Sequence, residues 1–344
     1  MKCTTIPGED NPHFQRLYIC LEGLKDGCRP IIGLDGCFIK GHHKGQLLAD
    51  VGIDPNNQMY PIAYAIVESE TRDSWRWFLD LLNVDLQLNN SGHVSWITDK
   101  QKGLLDVLHK LFPDSKHIHC VKHLHKNFKV HHKGLFLKKL MWSAAKSTTT
   151  QRYTCFGWYT SAKDPSHWSR AFLREGAKCY MLCDNMCEAF NSAIMQARDK
   201  PIITLLEMIR TYMIKRLTRK RAEIEKWKHP VGPKVFRYIE KINSLSVYCT
   251  LTFSRNNTFQ VDTGLQNQFV VDLEGRNCAC RKHMNPFDYV DSYYKKESYI
   301  KAYQLVIYGL NRPKMWPTTN NFPVHYPDFT KQKGRPKKTK ELAR

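Results

Sequence analysis

The sequence predicts an α/β protein built on a mixed sheet, and three observations carry that prediction. Three strand-like runs follow one another at 30–38, 46–52 and 60–68 before any helical pattern begins. Beyond them, helical and strand-like segments alternate as far as about residue 130. From about 131 to 240 the spacing of apolar residues is helical, and a β-like stretch returns at 247–273. A doubly wound sheet would alternate from its first strand, so the opening triplet of strands argues against one.

The elements are read in chain order. The run PIIGLDGCF (30–38) is apolar and ends in polar residues and glycine, as a buried strand does, with Asp35 near its C-terminal end. The strands at 46–52 and 60–68 are joined by Asp54-Pro55-Asn56-Asn57-Gln58, whose residues favour a turn, so the two form a hairpin. Thr71 suits a helix N-cap, and Trp75, Phe78, Leu79 and Leu82 then recur at helical spacing. Val94–Thr98 is a fourth strand that runs straight into Asp99. Gln101–Phe112 is an amphipathic helix stopped by Pro113. A fifth strand at His117–Val121 leads into a helix opening at Lys122. The order β-β-β-α-β-α-β-α is that of a ribonuclease H-like mixed sheet.

Further along, Trp142, Trp158 and Trp168 suggest a helical insertion over 131–182 with an aromatic core. A helix is expected around 186–198. A longer one after Pro201 would bury Leu205, Ile209, Tyr212, Met213 and Leu217 and carry Lys215, Arg216, Arg219, Lys220 and Arg221 on its later turns. The expected divisions are a lead-in at 1–29, a core at 30–130, the insertion at 131–182 and a helical segment at 183–245. A small β-containing remnant follows at 246–300, then a basic tail at 301–344.

The chain has 344 residues, 42% of them hydrophobic, which is enough for a sizeable core. Its 53 lysines and arginines outnumber 32 acidic residues, for a formal net charge of +21. Such a charge implies a polyanionic partner, nucleic acid first among them. No small-molecule substrate is expected. No apolar run approaches the roughly 18 residues of a membrane span. The first residues lack the apolar stretch of a secretory signal. Twelve cysteines scattered among many lysines read as intracellular thiols, some available to metal, rather than a disulfide scaffold.

Asp35 and Asp99 are the first candidates for chemistry. Each follows an apolar strand, and in a ribonuclease H-like sheet those strands are neighbours. Two carboxylates brought together are unfavourable unless a cation neutralises them, and Mg²⁺ or Mn²⁺ suits hard oxygen ligands. Two such ions could activate a nucleophile and stabilise a leaving oxygen in phosphodiester cleavage. The plainer reading is that each Asp only caps the turn after its strand.

Four motifs in order resemble those of plant Mutator-like (MULE) transposases. They are GLDGCFIKG (33–41), TDKQKGL (98–104), HCVKHLHKNFK (119–129) and CDNMCEAFNSAI (183–194), with NPFDYVDSYYKKESYIKAY (285–303) after them. The resemblance implies a DDE-type DNA strand-transfer enzyme with Asp35, Asp99 and Glu188 as its acidic triad and Mg²⁺ or Mn²⁺ as cofactor. Glu175 and Asp184 are alternatives for the third position. Physically, Asp184 or Asn185 can cap a helix that holds Glu188 in its first turn, where the helix dipole favours a carboxylate. The resemblance also implies double-stranded DNA as partner, self-association and a nuclear location. Lys40, Lys100, Lys102, Lys122 and Lys126 flank the acidic motifs and could neutralise DNA phosphates.

Two metal-like patterns remain. Cys120 and His123 form a Cys-x-x-His pair, half of an ordinary zinc ligand set. The nearby His117, His119, His125, His131 and His132 are expected to face solvent for the most part. Cys278 and Cys280 resemble the start of a SWIM-type zinc finger, but His283 is the next ligand type and no later cysteine completes it. Three ligands on so short a loop do not readily close a tetrahedron around Zn²⁺. In the tail, KQKGRPKK (331–338) places Arg335 and Lys337 about Pro336, which looks like an AT-hook for the narrow minor groove. A transposase core shortened at both ends is the expected whole. The alternative is a transposase-derived DNA-binding protein without chemistry.

Overall fold

The computed structural model describes residues 1–7, 11–21, 27–41, 44–88, 91–99, 101–157, 164–173, 181–262, 268–275, 277–278, 290–311, 315–318 and 324–325. Its centre is a seven-stranded mixed sheet with strand order β1-β2-β5-β4-β3-β6-β7. The strands are β1 (Lys2–Ile6), β2 (His13–Cys20), β3 (Ile31–Ile39), β4 (Gly45–Ile53), β5 (Met59–Val67), β6 (Ser95–Thr98) and β7 (Lys116–His119). The strands from β1 to β3 pair antiparallel in the sheet, whereas β6 lies parallel to β3 and β7 parallel to β6.

The strands read from the sequence at 30–38, 46–52, 60–68, 94–98 and 117–121 correspond to β3 through β7. The lead-in at 1–29 differs from expectation. It holds β1 and β2, and β2 pairs with β5 to extend the sheet on its antiparallel side. Their alternation of His, Arg and Gln with apolar residues is weak because this side of the sheet is only half covered.

Helices cover both faces. On one face lie α1 (Arg72–Leu86) and α2 (Lys102–Leu111). Thr71 caps α1, accepting from the Ser74 amide, and Trp75, Phe78, Leu79 and Leu82 are fully buried at the expected spacing. The other face carries α3 (Val121–His131), α4 (Leu135–Lys146), α5 (Thr150–Gly157), α6 (Asn185–Ala193) and α7 (Ile202–Glu225). There Trp168, Phe190, Leu205, Ile209 and Met213 join the apolar side of the sheet. Trp158, expected in the aromatic core, lies outside the described residues.

The long α7 departs from its expected polar later turns. Arg216 and Lys220 are buried: Arg216 donates to the Met59 carbonyl, and Lys220 pairs with Glu223 at 2.6 Å. They brace the molecule rather than face a partner. After α8 (Pro233–Ser246) comes a small antiparallel sheet of β8 (Thr250–Phe253), β9 (Thr258–Asp262), β10 (Gln268–Asp272) and β11 (Asn277–Cys278). Asn256 and Asn257 turn between β8 and β9 with φ of 49° and 54°. Both angles suit the tight hairpin turn that asparagine tolerates.

The last helix, α9 (Lys296–Tyr303), runs into the stretch expected to be tail. Its Tyr299, Ala302 and Tyr303 are buried in the α1 and α2 layer. The Tyr303 hydroxyl donates to Asp54 Oδ2 at 2.8 Å, and the Tyr60 hydroxyl donates to the Ala302 carbonyl at 2.7 Å. Two aromatic anchors at 299 and 303 are the helical signal that a basic composition hides. Among the described residues, no helix is long and apolar enough to cross a membrane.

Candidate active site

Leu34 of β3 pairs in parallel with Thr98 of β6. The next residue after each is an aspartate, Asp35 within β3 and Asp99 just past the end of β6, and the two are near enough to repel each other. Neighbouring strands lie roughly 4.8 Å apart. β3 runs on to Ile39, which places Asp35 inside the strand rather than near its end. Asp35 and Asp99 are both half-buried.

Asp35 is held from α6. The Asn191 amide donates to Asp35 Oδ2 at 2.9 Å, while Asn191 Oδ1 is buried without a partner. Burial raises the Asp35 pKa to about 7, and repulsion from Asp99 and Glu70 raises it further. Glu70, between β5 and α1, is pushed up as well, by burial and then by Asp99. These carboxylates repel one another, and His123 offsets part of that repulsion at Asp35.

The helix that carries Asn191 comes unusually close to the sheet. Asp184 caps α6, accepting from the Cys187 amide at 3.2 Å. A side chain on Gly33 would fall 2.5 Å from Asp184 Oδ1 and 3.0 Å from Cys187 Sγ, so only glycine allows this approach. Burial raises the Asp184 pKa to about 8.

Glu188 lies in the first turn of α6, as expected from the sequence. Its carboxylate is 2.5 Å from Lys122 Nζ, an ion pair at the surface. Cys120 and His123 also meet. Cys120 is buried at the start of α3, and the Asp184 amide donates to its sulfur at 3.3 Å. The Cys183 thiol, His123 and that amide all favour the Cys120 thiolate, so its pKa is lowered. The hydrogen bond with Cys120 raises the His123 pKa.

Mg²⁺ often takes only one or two protein carboxylates, with waters and phosphate oxygens completing its shell. Asp35 and Asp99 supply such a pair, and the under-neutralised carboxylates and the orphaned Asn191 oxygen fit a cation. Among the described residues, no group of three or more His, Cys, Asp or Glu side chains is arranged to hold a metal by itself.

Lys40 and Lys126 are exposed, as is Lys122 at its ion pair. Lys102 opens α2. Lys100, Glu175, Cys280, His283, Arg335 and Lys337 lie outside the described residues, and of Cys278 only its backbone place in β11 is described. His117 departs from the solvent-facing expectation. It is buried, stacks on His109 with ring centroids 4.5 Å apart, and burial lowers its pKa to about 4. It is neutral at pH 7 and adds no charge for phosphate.

Sequence reasoning passed over Glu70, Asn191 and Cys183. Asn191 and Cys183 lie inside the motif 183–194. Nothing in the spacing marked Glu70 apart from Glu68, since both stand at or just past the end of the third strand of the opening triplet.

Residues 31–127, from the start of β3 into α3, match the family model of the MULE transposase domain. This part of the chain is similar to MULE transposase domains. Both aspartates and the Cys120–His123 pair fall inside the match, and Glu188 lies beyond it. No curated protein matches the chain. A transposase domain implies interaction with DNA.

Proposed function

We propose that the MULE domain is the core of a ribonuclease H-like, DDE-type enzyme that cleaves and transfers DNA strands. The observation that supports this reading is the mutual repulsion of Asp35 and Asp99, which directly follow the paired Leu34 of β3 and Thr98 of β6. Mg²⁺ or Mn²⁺ bound there would activate the attacking oxygen and stabilise the leaving one. Asp35 and Asp99 hold the cation, and Asn191 fixes the orientation of the Asp35 carboxylate. Lys122 pairs with Glu188 when DNA is absent. A backbone phosphate that draws Lys122 away frees Glu188 to complete the acidic triad. Lys40 and Lys126 add phosphate contacts, and double-stranded DNA is the substrate in the nucleus. Zinc at Cys120 and His123 would need two further ligands, and among the described residues no group of three such side chains could hold a metal.

The test is nicking of supercoiled plasmid by the purified chain with Mn²⁺ or Mg²⁺. Wild type should nick, and Asp35→Asn, Asp99→Asn and Glu188→Gln should each lower the rate by about a hundredfold or more. A second reading is favoured by the Lys122–Glu188 ion pair, which occupies the third acid. In that reading the chain binds DNA without cutting it. An inert wild type that still shifts DNA in a gel would establish the second reading over the first.

A further inference from the structure

We infer that the hairpin of α3 and α4 is an arm that grips duplex DNA, with Lys129, Lys133, Lys138 and Lys139 on the phosphates and the tip residues Leu135 and Phe136 in a groove. The inference rests on the DNA-binding reading above and names a surface outside its acidic site.

The charge of this region is one-sided. Residues 115–163 contain nine lysines and one arginine but no aspartate or glutamate. Close like charges repel and cost stability unless a partner neutralises them. Lys129, Lys133, Lys138 and Lys139 are all exposed, and none of them forms an ion pair with a described acid. Burial lowers the His125 pKa, and the charges of Lys138 and Lys129 lower it further, so cations from both helices bear on one point. A polyanion that meets both helices at once is the partner such an arrangement fits.

The base of the hairpin is fixed and its tip is bare. Leu124 and Phe128 of α3 join the same apolar cluster as Met141, Ala144 and Ala145 of α4, which ties the hairpin to the core. Between the helices Gly134 takes a φ of 112°, in open space, and lets the chain reverse sharply. Leu135 and Phe136 follow it at 66% and 68% exposure, with the four lysines on either side of them in the chain. Apolar side chains among cations are what proteins insert into a DNA groove while lysines hold the backbone. The placement also fits the site. Lys122, near the start of α3, pairs with Glu188. At 1.5 Å per residue the far end of α3 stands about 14 Å from Lys122, the length of about four base pairs. A duplex that reaches Lys122 can therefore run on to the tip.

The experiment is binding of the full chain to a fluorescein-labelled duplex, read by anisotropy over a salt series. Lys129→Gln, Lys133→Gln, Lys138→Gln and Lys139→Gln combined should lower the slope of log affinity against log salt by about 3. The control combines Lys226→Gln, Lys228→Gln, Lys234→Gln and Lys241→Gln, an equal charge change at exposed positions around the start of α8. It should lower the slope by less than about 1. Phe136→Ser keeps every charge and should weaken binding about tenfold, as losing a buried phenylalanine contact does, with the slope unchanged. All the altered side chains are exposed, so the variants should melt with wild type. The arm is overturned, and the cation-site reading left standing, if its lysine variant keeps the wild-type slope, if the control lowers the slope as much, or if Phe136→Ser binds as wild type does. Loss of binding to phosphatidylserine vesicles in the same variants, with duplex binding intact, would overturn it in favour of a membrane surface. A wild type that binds no duplex at any salt concentration removes the DNA-binding reading and the arm together.

Discussion

Asp50 shows how much a single residue can set the pH response of this molecule. It is fully buried on β4, and neither carboxylate oxygen has a partner. Burial holds its pKa well above the ordinary value, and Asp184 adds to the effect. The folded state therefore keeps a proton that the unfolded chain releases above about pH 4. Stability from this group is full below that pH and falls as pH rises toward the folded pKa. Asp35 and Asp184, raised to about 7 and about 8, act in the same direction. Asp50→Asn should raise stability at pH 8 by about 1–2 kcal/mol and leave it nearly unchanged at pH 4. Urea melts at the two pH values check this, and an equal shift at both would count against a neutral buried Asp50. At this scale the sequence pointed to Asp35 and Asp99 because each stands in or after a clear apolar run, although Asp35 lies within β3 rather than at its end. It was silent on Asp50 and Glu70, because burial and repulsion arise only when separate strands meet.

At the scale of elements, the approach of α6 to β3 decides where Asn191 stands. That approach depends on Gly33, above which Asp184 and Cys187 sit. Gly33→Ala should push α6 outward, cost about 1–3 kcal/mol as overpacking does, and disturb the Asn191–Asp35 hydrogen bond. A melting curve beside a plasmid assay would show both effects. A variant with wild-type stability and activity would mean that α6 can move without consequence. The core strands, the Thr71 cap and the α6 cap at Asp184 were legible because each has a local cause in apolar runs or capping chemistry. β1, β2 and α9 were not. The first two sit on the less covered side of the sheet and show weak alternation. The third carries Tyr299 and Tyr303 in a lysine-rich segment, where anchors are few but deep.

For the whole molecule, a formal charge of +21 predicts DNA affinity that falls steeply with salt. Lys122 is exposed and adjacent to Glu188, so Lys122→Gln should lower the slope of log affinity against log salt by about 1. Its melting temperature should stay at the wild-type value, because surface ion pairs contribute little to folding. Binding measured by fluorescence anisotropy over a salt series tests this, and an unchanged slope would remove Lys122 from the DNA interface. Not every basic residue belongs to that interface. Arg216 and Lys220 are buried in the fold, so overall charge overstates the surface available to DNA.

We propose that Asp35 and Asp99 form one cation site. Calorimetric titration of Mn²⁺ into wild type, Asp35→Asn, Asp99→Asn and the double variant at pH 8 tests it most directly. Wild type is expected to bind, each single variant to lose about tenfold or more in affinity, and the double variant to lose little beyond the worse single one, as residues of one site do. Mn²⁺ binding that survives in all three variants at wild-type affinity would contradict it.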